Sequence, residues 1–150
     1  MIEIQCAIAL IEGNPELRYA VTNTGTSSVF VLAGKRMPYV LVEDKHITVL
    51  HGVHAPDPDI DYYMIEIPST EEWPAGTTRN FKIPLKDLQL SSHYEYEPSP
   101  GNLHGTYRLT VQFGFGDTPI PANETHNWSI EDVLKWQKLA SSSETEVIFP

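Results

Sequence analysis

The densest grouping of potential ligands in this chain is His51-Gly52-Val53-His54-Ala55-Pro56-Asp57-Pro58-Asp59-Ile60-Asp61, two imidazoles and three carboxylates within eleven residues. His51 and His54 are spaced so that both could offer nitrogen to zinc or copper, and Asp57-x-Asp59-x-Asp61 copies the start of a calcium loop. The calcium pattern then breaks. Tyr62 stands where the sharp-turn glycine belongs and Pro68 where the bidentate glutamate belongs, while Pro56 and Pro58 stiffen a chain that would have to wrap. Two histidines alone do not complete a zinc site. The stretch therefore reads first as a solvated acidic loop. A metal site built from His51, His54, Asp57, Asp59 and Asp61 is the alternative, and no other cofactor is expected.

A second stretch, His93-Tyr94-Glu95-Tyr96-Glu97-Pro98-Ser99-Pro100-Gly101-Asn102, interleaves tyrosine with acid. It falls in what reads as a long connection between strands. In extended backbone the alternation puts Tyr94 and Tyr96 on one side and Glu95 and Glu97 on the other. Tyrosine offers large, stiff, amphipathic contact area, so these four residues are candidates for binding a protein partner with a basic surface. The competing reading lays both rings back on a sheet as a lid.

Catalytic patterns do not appear. There is no Gly-x-Ser-x-Gly elbow, no Gly-Lys-Ser/Thr and no His-Glu-x-x-His, and Gly114-Phe115-Gly116 continues into Asp117-Thr118-Pro119 rather than opening a helix. A hydrolase using an unrecognised carboxylate pair is the remaining enzymatic alternative, since the spacing of carboxylates in space is not encoded locally. Cys6, the one cysteine, shares strand parity with Ile2, Ile4, Ile8 and Leu10, which points it into a core as an inert thiol.

The elements that must carry these residues have a period of two nearly throughout. Ile2 to Leu10, then Leu17, Tyr19 and Val21, alternate apolar with polar, with Asn14-Pro15 as punctuation between them. Val29–Leu32 and Tyr39–Val42 are continuous apolar runs, and Glu43-Asp44-Lys45 turns the second into a hairpin with 46–50. Further strands are expected over 62–67, around Phe81–Leu85, over 107–115 and near 146–149. In the longest, Tyr107, Leu109, Val111 and Phe113 face inward, with Arg108, Thr110 and Gln112 outward. Ser129 can cap a helix of about three turns through Ile130, Val133, Leu134, Trp136 and Leu139, stopped by Ser141-Ser142-Ser143 and placed over an end of the fold. The sum is an all-β, immunoglobulin-like antiparallel sandwich of about eight or nine strands with one short C-terminal helix, a single domain over residues 1–150.

Charge and the N-terminus narrow the partners. A net charge of −10, with Lys35-Arg36 the only adjacent basic pair, opposes nucleic-acid binding. No apolar run reaches membrane-spanning length, and Met1-Ile2-Glu3-Ile4-Gln5 spells a strand instead of a signal peptide, so no membrane and a cytoplasmic location are expected.

Three segments carry a resemblance: Val21-Thr22-Asn23-Thr24-Gly25-Thr26-Ser27-Ser28-Val29, Trp73-Pro74-Ala75-Gly76-Thr77-Thr78-Arg79-Asn80-Phe81, and His104-Gly105-Thr106-Tyr107-Arg108-Leu109-Thr110-Val111. In type and order they resemble bacterial immunoglobulin-like sandwiches of the intracellular proteinase inhibitor family. The resemblance implies the sandwich architecture and an inhibitor- or immunity-type role, and it transfers no functional residue. With the missing catalytic patterns, it leads to the expectation of a non-enzymatic domain that binds another protein through its inter-strand loops.

Overall fold

The chain turns first at Glu12-Gly13, where φ values of 53° and 82° form the two-residue turn whose twist suits a β-hairpin. The computed structural model describes residues 1–150. This turn joins β1 (Ile2–Ile11) to β2 (Asn14–Asn23), with Ile11 opposite Asn14. Asn14-Pro15 is thus part of a strand and not the gap before one. Pro15 is tolerated because it stands at the start of the strand, where the ladder loses only a terminal N–H, and its carbonyl still accepts the Leu85 N–H at 3.0 Å. After β3 (Val29–Leu32), the expected hairpin forms between β4 (Tyr39–Glu43) and β5 (His46–His51). Its turn residues, Asp44 and Lys45, have φ of 48° and 62°.

The remaining strands are β6 (Thr70–Trp73), β7 (Thr78–Pro84), β8 (Gln89–Ser92), β9 (Glu95–Pro100), β10 (Gly105–Gly116), β11 (Lys138–Ser141) and β12 (Thr145–Phe149). Twelve strands therefore replace the expected eight or nine. They form a sandwich-like all-β fold of a small antiparallel sheet, β1-β2-β7, and a large mixed one, β6-β3-β10-β5-β4-β8-β9. β10 is the spine of the large sheet. It pairs β5 in parallel and then β3 along one edge, and β12 and then β11 along the other. The strand expected over 62–67 does not form, because no neighbour offers a backbone ladder there; the tyrosine-acid stretch, by contrast, finds one as β9. Alternation assigns sides, but a strand exists only where another strand pairs with it.

The main core lies between the two sheets. Leu17, Tyr19 and Val21 from the small sheet meet Val40, Ile47, Val49, Leu109, Val111 and Phe113 from the large one. The inward register of 107–113 is as expected, though Thr110 on the opposite face is also buried. Leu10 departs from its expected place: at the hairpin end, beyond the facing sheet, it is 73% exposed. Cys6 is half-buried against the core, and burial pushes its thiol pKa up.

A second apolar cluster gathers Leu32, Val53, Ile120, Ile130 and Val133. Leu32 alternates with the core residue Val31, so this cluster lies behind the large sheet, on the side away from the small one. The helix α1 (Ile130–Trp136) closes it, in place of covering an end of the inter-sheet core. Ser129 and Asp132 form a reciprocal capping box, and those bonds hold the Asp132 carboxyl below its usual range. The helix stops a turn earlier than its apolar spacing suggested. Gln137 instead bonds both the N–H and the C=O of Val53, at 3.0 and 2.9 Å, and Leu139 joins β11 opposite Gly114. Trp136 lies over Gly116, where its ring leaves no room for a Cβ, and its indole donates to the Thr118 carbonyl. No helix is long and apolar enough to cross a membrane.

Candidate functional site

The two stretches singled out in the sequence become neighbours in space. The Tyr94 ring packs 4.9 Å from His54 and 5.0 Å from Tyr62, and its hydroxyl donates to the His54 carbonyl. Burial pushes the Tyr94 phenol up to about 12. His93 and Tyr94 form the tip of the β8–β9 hairpin, between Ser92 and Glu95. His93 Nε2 sits 2.6 Å from the Glu66 carbonyl, which can only accept, so the proton is on Nε2. Nδ1 then accepts from the Tyr39 hydroxyl at 2.8 Å. Both nitrogens are satisfied in the neutral ring, and burial lowers the His93 pKa.

Arg36 ties the tip to the loop. Its guanidinium donates to the carbonyls of Ser92 (3.2 Å), His93 (3.0 Å) and Glu95 (2.6 Å). It also lies 3.9 Å from the Glu66 carboxylate and 5.1 Å over the Tyr96 ring. Charge-assisted bonds of this kind are the stronger ones, and a planar fork is suited to several carbonyls at once. Arg36→Ala should therefore loosen the tip specifically. Hydrogen exchange at residues 92–97 should quicken by more than about tenfold, while the amides of β10 keep their protection. Unchanged exchange at 92–97 would show that the tip is held by packing alone.

The outer surface of this assembly is aromatic and acidic. Tyr63 is fully exposed, Tyr96 66%, Met64 69% and Ile60 51%. Arg36 touches both Glu66 and Tyr96, which brings the 60–66 loop alongside β9. Asp57, Asp59, Asp61, Glu66, Glu95 and Glu97 on the same two segments are exposed as well. The four residues proposed from the sequence divide accordingly. Tyr94 packs beneath, against the second cluster, whereas Tyr96, Glu95 and Glu97 face solvent. The two tyrosines part company because Tyr94 sits in the hairpin turn, and strand alternation begins only at Glu95.

The His/Asp stretch divides as well. His51 is buried in the inter-sheet core, stacked 4.3 Å from Phe113, and its Nε2 shares a 2.6 Å hydrogen bond with the Tyr19 hydroxyl. Desolvation lowers its pKa to about 3. His54 is half-buried under Tyr94, with its Nδ1 lacking a partner, and burial lowers its pKa too. Asp57, Asp59 and Asp61 stay on the exposed loop, where Asp57 accepts the Asp59 N–H at 2.9 Å. No three His, Cys, Asp or Glu side chains converge so as to hold a metal ion.

Sequence reasoning did not single out Arg36, Tyr63, Met64 or Glu66. The signal for Arg36 was weak, a basic pair in an acidic chain. For Tyr63 and Met64 it was an apolar run set inside a Pro/Asp-rich loop. The chain matches no protein family, no curated protein and no solved structure.

Proposed function

We propose that this protein is a non-enzymatic binding domain that recognises another protein through the surface formed by the 57–66 loop and β9. The observation that carries this reading is that Arg36 links two segments, the loop that exposes Ile60, Tyr63 and Met64 and the strand that exposes Tyr96, both of which also expose carboxylates. An exposed aromatic patch in a polar rim is the usual form of a protein-binding site. These acids suit a partner presenting apolar area bordered by lysine or arginine, and they would speed encounter with such a surface. The Arg36 clasp and the packed Tyr94 hold the frame in advance, which lowers the ordering cost of binding. We read the sandwich as immunoglobulin-like. The resemblance to intracellular proteinase inhibitors agrees with an inhibitor- or immunity-type role, and the single unpaired thiol with a reducing, cytoplasmic setting.

The test is capture of partners from the native lysate by the wild type, by Tyr63→Ala plus Tyr96→Ala, and by Asp57→Asn, Asp59→Asn and Asp61→Asn combined. One basic protein should be held by the wild type and lost by the tyrosine variant, each ring contributing about 2 kcal/mol. The asparagine variant should hold it more weakly and respond less to salt. Both variants should melt like the wild type, whereas Tyr94→Ala should melt lower. Equal capture by all three proteins would refute the assignment.

A further inference from the structure

The small sheet ends on β7, and nothing pairs with its outer edge. Which amides are unpaired follows from two hydrogen bonds that frame the β2–β7 ladder. The Asn23 N–H donates to Thr77 and the Leu85 N–H to Pro15. Odd-numbered residues of β7 therefore bond to β2, and the even ones turn their backbone groups away. Thr78, Asn80 and Lys82 each present an N–H and a C=O to solvent, and Pro84 adds one more C=O.

The two ends of the large sheet are blunted: β9 carries Pro98 and Pro100, and β6 is only four residues long. The opposite edge of the small sheet, β1, is longer but bears an acid, Glu3, and no lysine or arginine. β7 is seven residues long, and its one proline is its last residue. On its inner side Phe81 and Ile83 pack against the core yet stay half-buried, as expected where a neighbouring strand is missing. On the outer side Ala7 and Ala20 leave a shallow depression of about 620 Å³, rimmed by Arg18, Asn80 and Lys82. Lys82 makes no salt bridge, and Lys86 just beyond the strand makes none either. In a chain of net charge −10 this edge is locally basic.

We propose that β7 is an acceptor for an extended, acidic segment of a partner protein, which adds to the small sheet as its fourth strand. The main chain of that segment would bond the outward groups of Thr78, Asn80 and Lys82. Its apolar residues would cover Phe81 and Ile83, and its acids, at alternate positions, would meet Lys82. A lysine in mid-strand repels basic segments and leaves apolar ones with an uncompensated charge, so it selects for acid. This edge is separate from the aromatic-acidic surface, and either assignment can fail without the other.

The probe is a synthetic heptapeptide of alternating glutamate and valine, with a lysine-valine peptide as control. Hydrogen exchange should show the Thr78, Asn80 and Lys82 amides unprotected in the protein alone and protected by the glutamate peptide only. Asn80→Pro removes an outward N–H without touching the β2 ladder, so it should abolish binding and leave the melting temperature close to wild type. Lys82→Glu should weaken binding by about tenfold or more. Should Asn80→Pro prove unstable, the exchange pattern of the wild type and the Lys82→Glu affinity decide the matter alone. Protection of these amides in the peptide-free protein, with a dimeric mass, would mean that a second copy occupies the edge and would overturn the proposal. So would equal binding of both peptides, or of neither.

Discussion

Leu109→Ala should destabilise the protein by about 2–5 kcal/mol, a large part of the total stability of a domain this size. Leu109 is fully buried in the middle of β10, opposite Ile47 of β5 on one side and Thr145 of β12 on the other. A cavity there would be walled by both sheets, and β10 cannot shift to fill it because it is hydrogen-bonded along both edges. Thr110→Ala is the comparison. Thr110 is nearly as buried, but it faces the other side of the sheet and its hydroxyl makes no hydrogen bond, so its loss should cost about 1 kcal/mol. Urea unfolding of the two variants measures the difference. Equal losses would mean that the inward register of β10 is displaced by one residue.

Acid should unfold the protein from within. His51 has a folded-state pKa of about 3 against an ordinary value of 6.5, because the charged ring cannot be solvated between Phe113, Phe81 and Tyr19. Between those values the unfolded chain binds a proton that the folded one refuses. The stabilisation is thus complete above pH 6.5, is lost as the pH falls toward 3, and changes no further below that. Each pH unit in the window is worth about 1.4 kcal/mol, so roughly 3 kcal/mol should be gone by pH 4. His54 and His93, whose pKa values are also lowered by burial, act in the same direction. In His51→Phe the slope of stability against pH between 6.5 and 4 should flatten, even though the variant is less stable at neutral pH for want of the Tyr19 hydrogen bond. An unaltered slope would place the titrating group elsewhere.

His51 also shows how much of the site the sequence held. Its parity with Ile47 and Val49 already pointed it inward, and that signal opposed its reading as a ligand. Burial separates it from Asp57, Asp59 and Asp61, which no turn brings back toward the core. Tyr94 and Tyr96 show the converse. Their alternation implied one shared face, and the hairpin turn gave them different ones.

By itself the sequence determined the faces: the inward set of β10, the β4–β5 hairpin, the helix start at Ser129 and the all-β class. Each of these depends on neighbours within a few residues, through the two-residue period of a strand, the chirality of a turn or the reach of a capping side chain. Only the tertiary structure decided which strands pair. β8 and β11 are held by strands far off in sequence, β4 and β10, and β9 is then paired by β8, whereas 62–67 is not a strand because none pairs with it. The candidate surface belongs to the same category. Tyr94 and His54 are 40 residues apart in the chain, and the Arg36 bonds to the hairpin tip span more than that. Contacts at such separation are set by how two sheets pack and where a loop must return, a long-range balance that local patterning does not carry.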